Sequence, residues 1–241
     1  MNAWRGSIFL AKEEFKRAKW KHLLTLFFIA YLSFFLVPMF AEAYTEEEGH
    51  FFYWSLDFVA LTLLPCLGIM SSQMTGFYWK TDSYSKKLAS WRTMPIPVNQ
   101  IALGRVLLLL LNALPAKTIF FIIFYGLIRT MNVDIELLPF IGFAVFWIGY
   151  STAVGFIYVY CESGFTGKQY FWIIMLFTLV VLTSMIMVTV FAKRSLILTS
   201  YYCIEQGGWW LSVVGVLAGA AMLLLGLPML VKKLKTRNYA S

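Results

Sequence analysis

KKLASWRTMPIPVNQIALGR, residues 86–105, interrupts a chain that is otherwise mostly apolar. It holds four basic residues (Lys86, Lys87, Arg92 and Arg105), one tryptophan, and two prolines a single residue apart. Long apolar runs stand on both sides of it. What kind of segment it is depends on which solvent surrounds those runs, and composition decides that. The 241 residues are 60% hydrophobic, 18% aromatic and only 13% charged, with a mean hydropathy of +0.73. An ordinary soluble domain is about 25% charged. A core in water cannot absorb such an excess, so the expected solvent is the bilayer.

Working outward, six runs are long enough to cross a hydrocarbon layer of about 30 Å. They cover roughly 22–40, 51–74, 103–128, 138–160, 171–191 and 209–231. The predicted fold class is an all-α integral membrane protein, a single transmembrane domain over 1–241. Residues 3–20 (AWRGSIFLAKEEFKRAKW) precede the first run. There Trp4, Ile8, Ala11, Phe15 and Ala18 recur at helical spacing, and Arg5, Lys12, Glu13, Lys16 and Arg17 lie away from them. That pattern predicts a helix lying in the membrane interface; packing of the same face on protein is the alternative. It does not read as a cleavable signal peptide, because no small-residue site follows a short apolar core. Residues 195–204 (SLILTSYYCI) are too short to cross and are expected as a re-entrant or surface helix.

The basic residues set the orientation. With the N-terminus inside, 16 of the 20 lysines and arginines fall on the inner side. Arg129, Lys193 and Arg194 fall outside, and Lys117 lies within a run. The first outer loop is acidic instead, with Glu42, Glu46, Glu47 and Glu48. Both termini are therefore expected in the cytoplasm. The net charge of +8 reads as membrane orientation, not as nucleic-acid binding. Cys66, Cys161 and Cys203 are scattered and lack C-x-x-C spacing, so neither a disulfide framework nor a metal site is expected.

This orientation places 77–100 in the cytoplasm. Thr81, Asp82 and Ser83 offer N-caps there. Tyr84, Leu88 and Trp91 follow at i, i+4 and i+7 on one apolar face, with Lys86, Lys87 and Arg92 off it. Pro95 ends the helix, since the residue before a proline is pushed out of the α region. Spacing alone leaves two readings open. The face could rest on the membrane or present itself to a partner.

The stretch LASWRTMPIPVNQIALGRVLLLLL resembles the same loop of type-2 ABC transporter permeases. The resemblance rests on Met94-Pro95-Ile96-Pro97, on the polar pair Asn99-Gln100, and on Ile101 leading to Gly104-Arg105 ahead of the third run. The layout is also similar: an N-terminal interfacial helix, six spans, and both ends inside. Membership would make 84–92 a coupling helix docked on a separate ATPase subunit. Tyr84, Lys86, Lys87, Leu88, Trp91, Arg92, Met94 and Pro95 would then carry the coupling. Trp91 would be an aromatic anchor, and Pro95 and Pro97 a stiff link to the third span. The inner loop 162–168 (ESGFTGK) is a weaker candidate for a second contact. The resemblance further implies a second permease subunit, the bacterial plasma membrane, and export. ATP and magnesium would belong to the partner ATPase, because this chain has no G-x-x-x-x-G-K-[ST] and no cofactor is expected in it.

Inside the membrane, Lys117 stands out. It lies twelve residues from both Arg105 and Arg129, about 18 Å from each. Asn112 is nearby, and Asp57 is the acidic residue within a run that could pair with it. Either Lys117 faces a pathway or a polar seam, or the third span breaks at Pro115 and the lysine snorkels or sits in a structural pair. Gly215 and Gly219 form a G-x-x-x-G in the last run and permit close helix packing. A membrane enzyme is disfavoured, with no H-E-x-x-H, no G-x-S-x-G and no paired intramembrane aspartates. A receptor or assembly factor shares the topology without needing an ATPase. The substrate is not written in these residues.

Overall fold

The computed structural model describes residues 3–45, 53–69, 88–91 and 96–237. Within them the chain is helical, without strands. In chain order the elements are α1 (Ala3–Arg17), α2 (Lys19–Thr45), α3 (Tyr53–Leu63), a 3-10 turn (Leu64–Cys66), α4 (Val98–Thr130), α5 (Leu137–Gly164), α6 (Gly167–Ala192), α7 (Leu196–Glu205) and α8 (Trp210–Thr236). Residues 88–91 are also helical. Five helices are long and apolar enough to cross a membrane: α2 from His22, α4, α5, α6 and α8. This is a multi-pass membrane protein.

The second expected span, 51–74, takes a different form over its described part, 53–69. α3 is 11 residues long, which is about 16 Å and half a hydrocarbon layer. Pro65 stands in the 3-10 turn that follows, and Gly68 turns the chain with φ +86°. Left-handed backbone is open to glycine without strain. A Cβ at Gly68 would also strike the Ala113 backbone of α4, with Ala113 N at 2.6 Å. The apolar run therefore holds a short helix and a tight turn packed on α4. Residues 70–74 lie outside the described part.

Pro115 behaves oppositely. α4 runs for 33 residues straight through Pro115, so the expected alternative of a broken third span does not occur. α6 starts on a capping box, in which Thr166 Oγ1 accepts from Gln169 N and Gln169 Oε1 accepts from Thr166 N. It ends on Lys193 in the left-handed region, φ 50°.

α5 and α8 meet backbone to backbone. Gly149 lies against the Gly215 carbonyl, and a Cβ there would also sit 2.8 Å from Val216 N. Gly219 faces Gly149 in turn, and Ser212 Oγ donates to Gly142 O at 2.8 Å. The G-x-x-x-G of the sequence thus serves a crossing inside this chain. α6 is the reverse case: only 11% of its apolar window is buried.

Two cores result. One is aromatic, with Phe40, Phe120, Phe121, Phe124, Phe143 and Tyr201. The other is aliphatic, with Ile69, Leu88, Ile101, Val106, Val154 and Leu230. The aliphatic core lies toward the end where α1, the start of α4, the end of α5 and the end of α8 come together. Arg5, Lys12, Lys16, Arg17, Arg105, Lys232, Lys233, Lys235 and Arg237 sit on those segments, so it is named the basic end below.

Candidate coupling and intramembrane sites

The basic end is built around Arg105. α1 packs on the first turns of α4 with its small residues, not its large ones. Gly6, Ser7, Ala11 and Ala18 are buried, whereas Trp4, Ile8, Phe9 and Phe15 are exposed. Ser7 Oγ donates to Gln100 O at 3.1 Å. Gly104 leaves room for Ser7 O, which would be 3.4 Å from a Cβ placed there. This close approach lets Glu14 of α1 reach Arg105 at 3.4 Å, while Glu162 of α5 meets the same guanidinium at 3.2 Å. The three side chains are only 13%, 4% and 7% exposed. One cation therefore joins three helices in a buried acid–base–acid arrangement.

The sequence pointed to Arg105 through its motif but missed both carboxylates. The missed signals were register and run length. Glu14 shares a helical face with Ala11 and Ala18, and Glu162 follows directly on an apolar run. The expected loop 162–168 is also shorter than it looked. α5 extends through Gly164, so Glu162, Ser163 and Gly164 are helical and buried. Arg237 Nη1 donates to Ser163 O at 2.6 Å, and the Lys233 ammonium sits 4.4 Å from the centre of the Phe165 ring. The end of α8 is thereby tied to the end of α5.

Of the expected coupling residues, Leu88 and Trp91 are described. Tyr84, Lys86, Lys87, Arg92, Met94 and Pro95 lie outside the described residues. Leu88 is 2% exposed, within the aliphatic core that holds Ile101, Ala102 and Val106 of α4. Trp91 and Ile96 are half-buried and pack against that core. Pro97 then caps α4 with φ −60° and ψ 137°. The leucine of the amphipathic face is thus an anchor into this chain.

No family model matches the chain, and no curated protein or solved structure matches it either. What the sites can do must therefore come from their own chemistry.

Within the membrane region Lys117 is 0% exposed. Its ammonium donates to Thr152 Oγ1 of α5 at 3.3 Å, and Thr152 in turn donates to Ile148 O at 2.7 Å. Asn112, buried on the same helix, has an Oδ1 with no hydrogen-bond partner among the described residues. Asp57 is engaged elsewhere. Its Oδ1 accepts from Ser195 Oγ at 2.7 Å and from Ile197 N at 3.0 Å, and its Oδ2 accepts from Leu196 N at 2.7 Å. These donors are the N-terminus of α7, where backbone N–H groups lack intrahelical partners and favour an anion. Asp57, Ser195 and Ile197 are buried, so the carboxylate, and not water, fills the bonds at Ser195 and Ile197. The sequence grouped Lys117, Asn112 and Asp57 as one intramembrane set. The structure keeps Lys117 with Thr152 and gives Asp57 to the cap of α7.

Proposed function

We propose that this chain is the membrane permease subunit of an ATP-driven ABC transporter, working as an exporter with a separate ATPase. The observation that supports this reading best is the anchoring at the basic end. A short helical segment, 88–91, is held by Leu88 in a core shared with the first turns of α4. α4 then continues unbroken for 33 residues. Force applied to that segment from outside the membrane would pass into a continuous helix, because the contact is packed and not a flexible tether. A coupling element needs this connection. Its expected amphipathic partner face includes Trp91, which keeps exposed surface.

In this reading the basic end is cytoplasmic, since basic residues concentrate on that side of inner-membrane proteins. Both termini then lie inside a bacterial plasma membrane. Two such permeases, identical or similar, would enclose the pathway, with ATP and magnesium bound on two ATPase subunits. Closure of the ATPases would push 88–91, and α4 would carry the motion to the buried Lys117.

The deciding experiment is affinity capture of the tagged protein from its native host in mild detergent, for wild type, Tyr84→Ala and Trp91→Ala. We expect an ATP-binding subunit with wild type and a weaker yield with either variant. If folded wild type brings down no ATPase, the chain is instead a receptor or assembly factor of the same topology.

A further inference from the structure

A groove of about 600 Å³ runs between the first turns of α4 and the last turns of α8. None of its lining residues is buried, so it opens on the surface of the chain. Leu103, Leu227 and Val231 form its apolar floor, and Asn99, Lys232 and Lys235 stand along it toward the basic end. Both lysines are exposed, and no ion pair engages either of them among the described residues. Three other cations of this end are committed: Arg105 to two glutamates, Arg237 to Ser163 O, and Lys233 to the Phe165 ring.

We propose that this groove is a binding site for an anionic phospholipid from the leaflet at the basic end. An acyl chain would lie on Leu103, Leu227 and Val231, parallel to the helices. The phosphate would sit between the Lys232 and Lys235 ammonium groups, and the Asn99 amide would donate to a headgroup oxygen. Two features select this occupant. The volume matches an amphiphile, since small-molecule sites span roughly 300–1,000 Å³. The charge is graded, apolar along the floor and cationic at the interface, which is the polarity of a phospholipid and the usual composition of basic clefts between helices that hold anionic headgroups. A soluble anion would leave the apolar floor unused. The site depends only on α4 and α8, so it stands whether or not the chain is a permease.

The test is native mass spectrometry of the full-length, delipidated protein in an uncharged detergent. It is titrated with phosphatidylglycerol, with phosphatidylcholine of the same acyl chains, and with free glycerol phosphate. We expect one preferred phosphatidylglycerol, weaker phosphatidylcholine, and no competition by glycerol phosphate. The pair Lys232→Gln/Lys235→Gln should weaken phosphatidylglycerol binding roughly 30-fold, the loss of two cations near an anionic surface. Lys12→Gln/Lys168→Gln removes the same charge elsewhere and should leave the binding unchanged. Leu103→Trp, which fills the floor and keeps both lysines, should also lower phosphatidylglycerol occupancy. Equal binding of the two lipids, equal losses in the two lysine pairs, competition by glycerol phosphate, or full occupancy in Leu103→Trp would each overturn the proposal.

Discussion

Asp57 and Lys117 pose the same problem, a charge among apolar helices, and are solved by different means. Asp57 accepts three hydrogen bonds from the start of α7, a segment 138 to 140 positions away. A buried donor left without a partner costs about 1–3 kcal/mol. Asp57→Ala orphans a hydroxyl and two N–H groups, so we expect a loss of about 3 kcal/mol or more, read as a large fall in melting temperature in detergent. Asp57→Asn keeps one carbonyl acceptor and should lose less. Equal melting of Asp57→Ala and wild type would show that the cap carries no stability. Lys117 is less well served, with three ammonium donors and one neutral acceptor at 3.3 Å. Replacing a poorly paired buried charge by an apolar group of similar length is often neutral or stabilising. Lys117→Met should therefore melt no lower than wild type while altering transport by the proposed complex. Thr152→Val, which strands the ammonium, should melt lower by about 1–3 kcal/mol. If Lys117→Met is the less stable of the two, the lysine is structural and its place in a pathway falls. The sequence exposed both charges but not their partners. Composition shows that a lysine in an apolar run needs relief; only the crossing of α4 and α5 shows that Thr152 gives it.

Among the elements, the five long runs were legible because hydrocarbon thickness imposes a minimum length that hydropathy can see. The described helices exceed those runs at their ends, as α5 does through Glu162–Gly164, since helical hydrogen bonding continues beyond the apolar stretch. What hydropathy could not see was which face turns inward. In lipid a large apolar side chain gains little by leaving the solvent, so close packing falls to small residues. α1 illustrates this. Its expected apolar stripe splits, with Ala11 and Ala18 against protein and Trp4, Ile8 and Phe15 outward. The α5–α8 crossing shows the same rule in its strictest form. Gly149→Leu would force side-chain atoms into the Gly215 backbone. We expect overpacking of about 1–3 kcal/mol at least, seen as lower melting or loss of the monodisperse peak in gel filtration. Gly126 on α4 has nothing within 4 Å of a Cβ position. Gly126→Ala should then be neutral or raise stability by up to about 1 kcal/mol, through helix propensity. Equal behaviour of the two variants would mean that the crossing is looser than its geometry states.

At the scale of the whole molecule, α4 is the common partner: α1, α2, α5 and α8 all contact it. Its first turns collect the motif residues, the anchored segment 88–91 and the Glu14–Arg105–Glu162 cluster. This convergence was half legible. The Pro-x-Pro and Gly-Arg steps marked where α4 begins, but the cluster joins residues 91 and 57 positions apart, and no local pattern encodes such a distance. The cluster makes the basic end a single body, because two carboxylates on different helices share one buried guanidinium. Arg105→Leu would leave both carboxylates uncompensated, and breaking a buried pair from one side costs about 3–5 kcal/mol. We expect that variant to express poorly or melt far below wild type. The informative variant is the triple, Glu14→Gln/Arg105→Leu/Glu162→Gln, which removes all charge from the site. If the cluster acts mainly as paired charge, the triple should recover most of the lost melting temperature. Recovery of stability together with a loss of the proposed ATPase-driven transport would assign the cluster to force transmission between α1, α4 and α5. Recovery of both would make it a removable structural feature, and failure to recover stability would mean that the guanidinium holds these helices through geometry that neutral amides cannot replace.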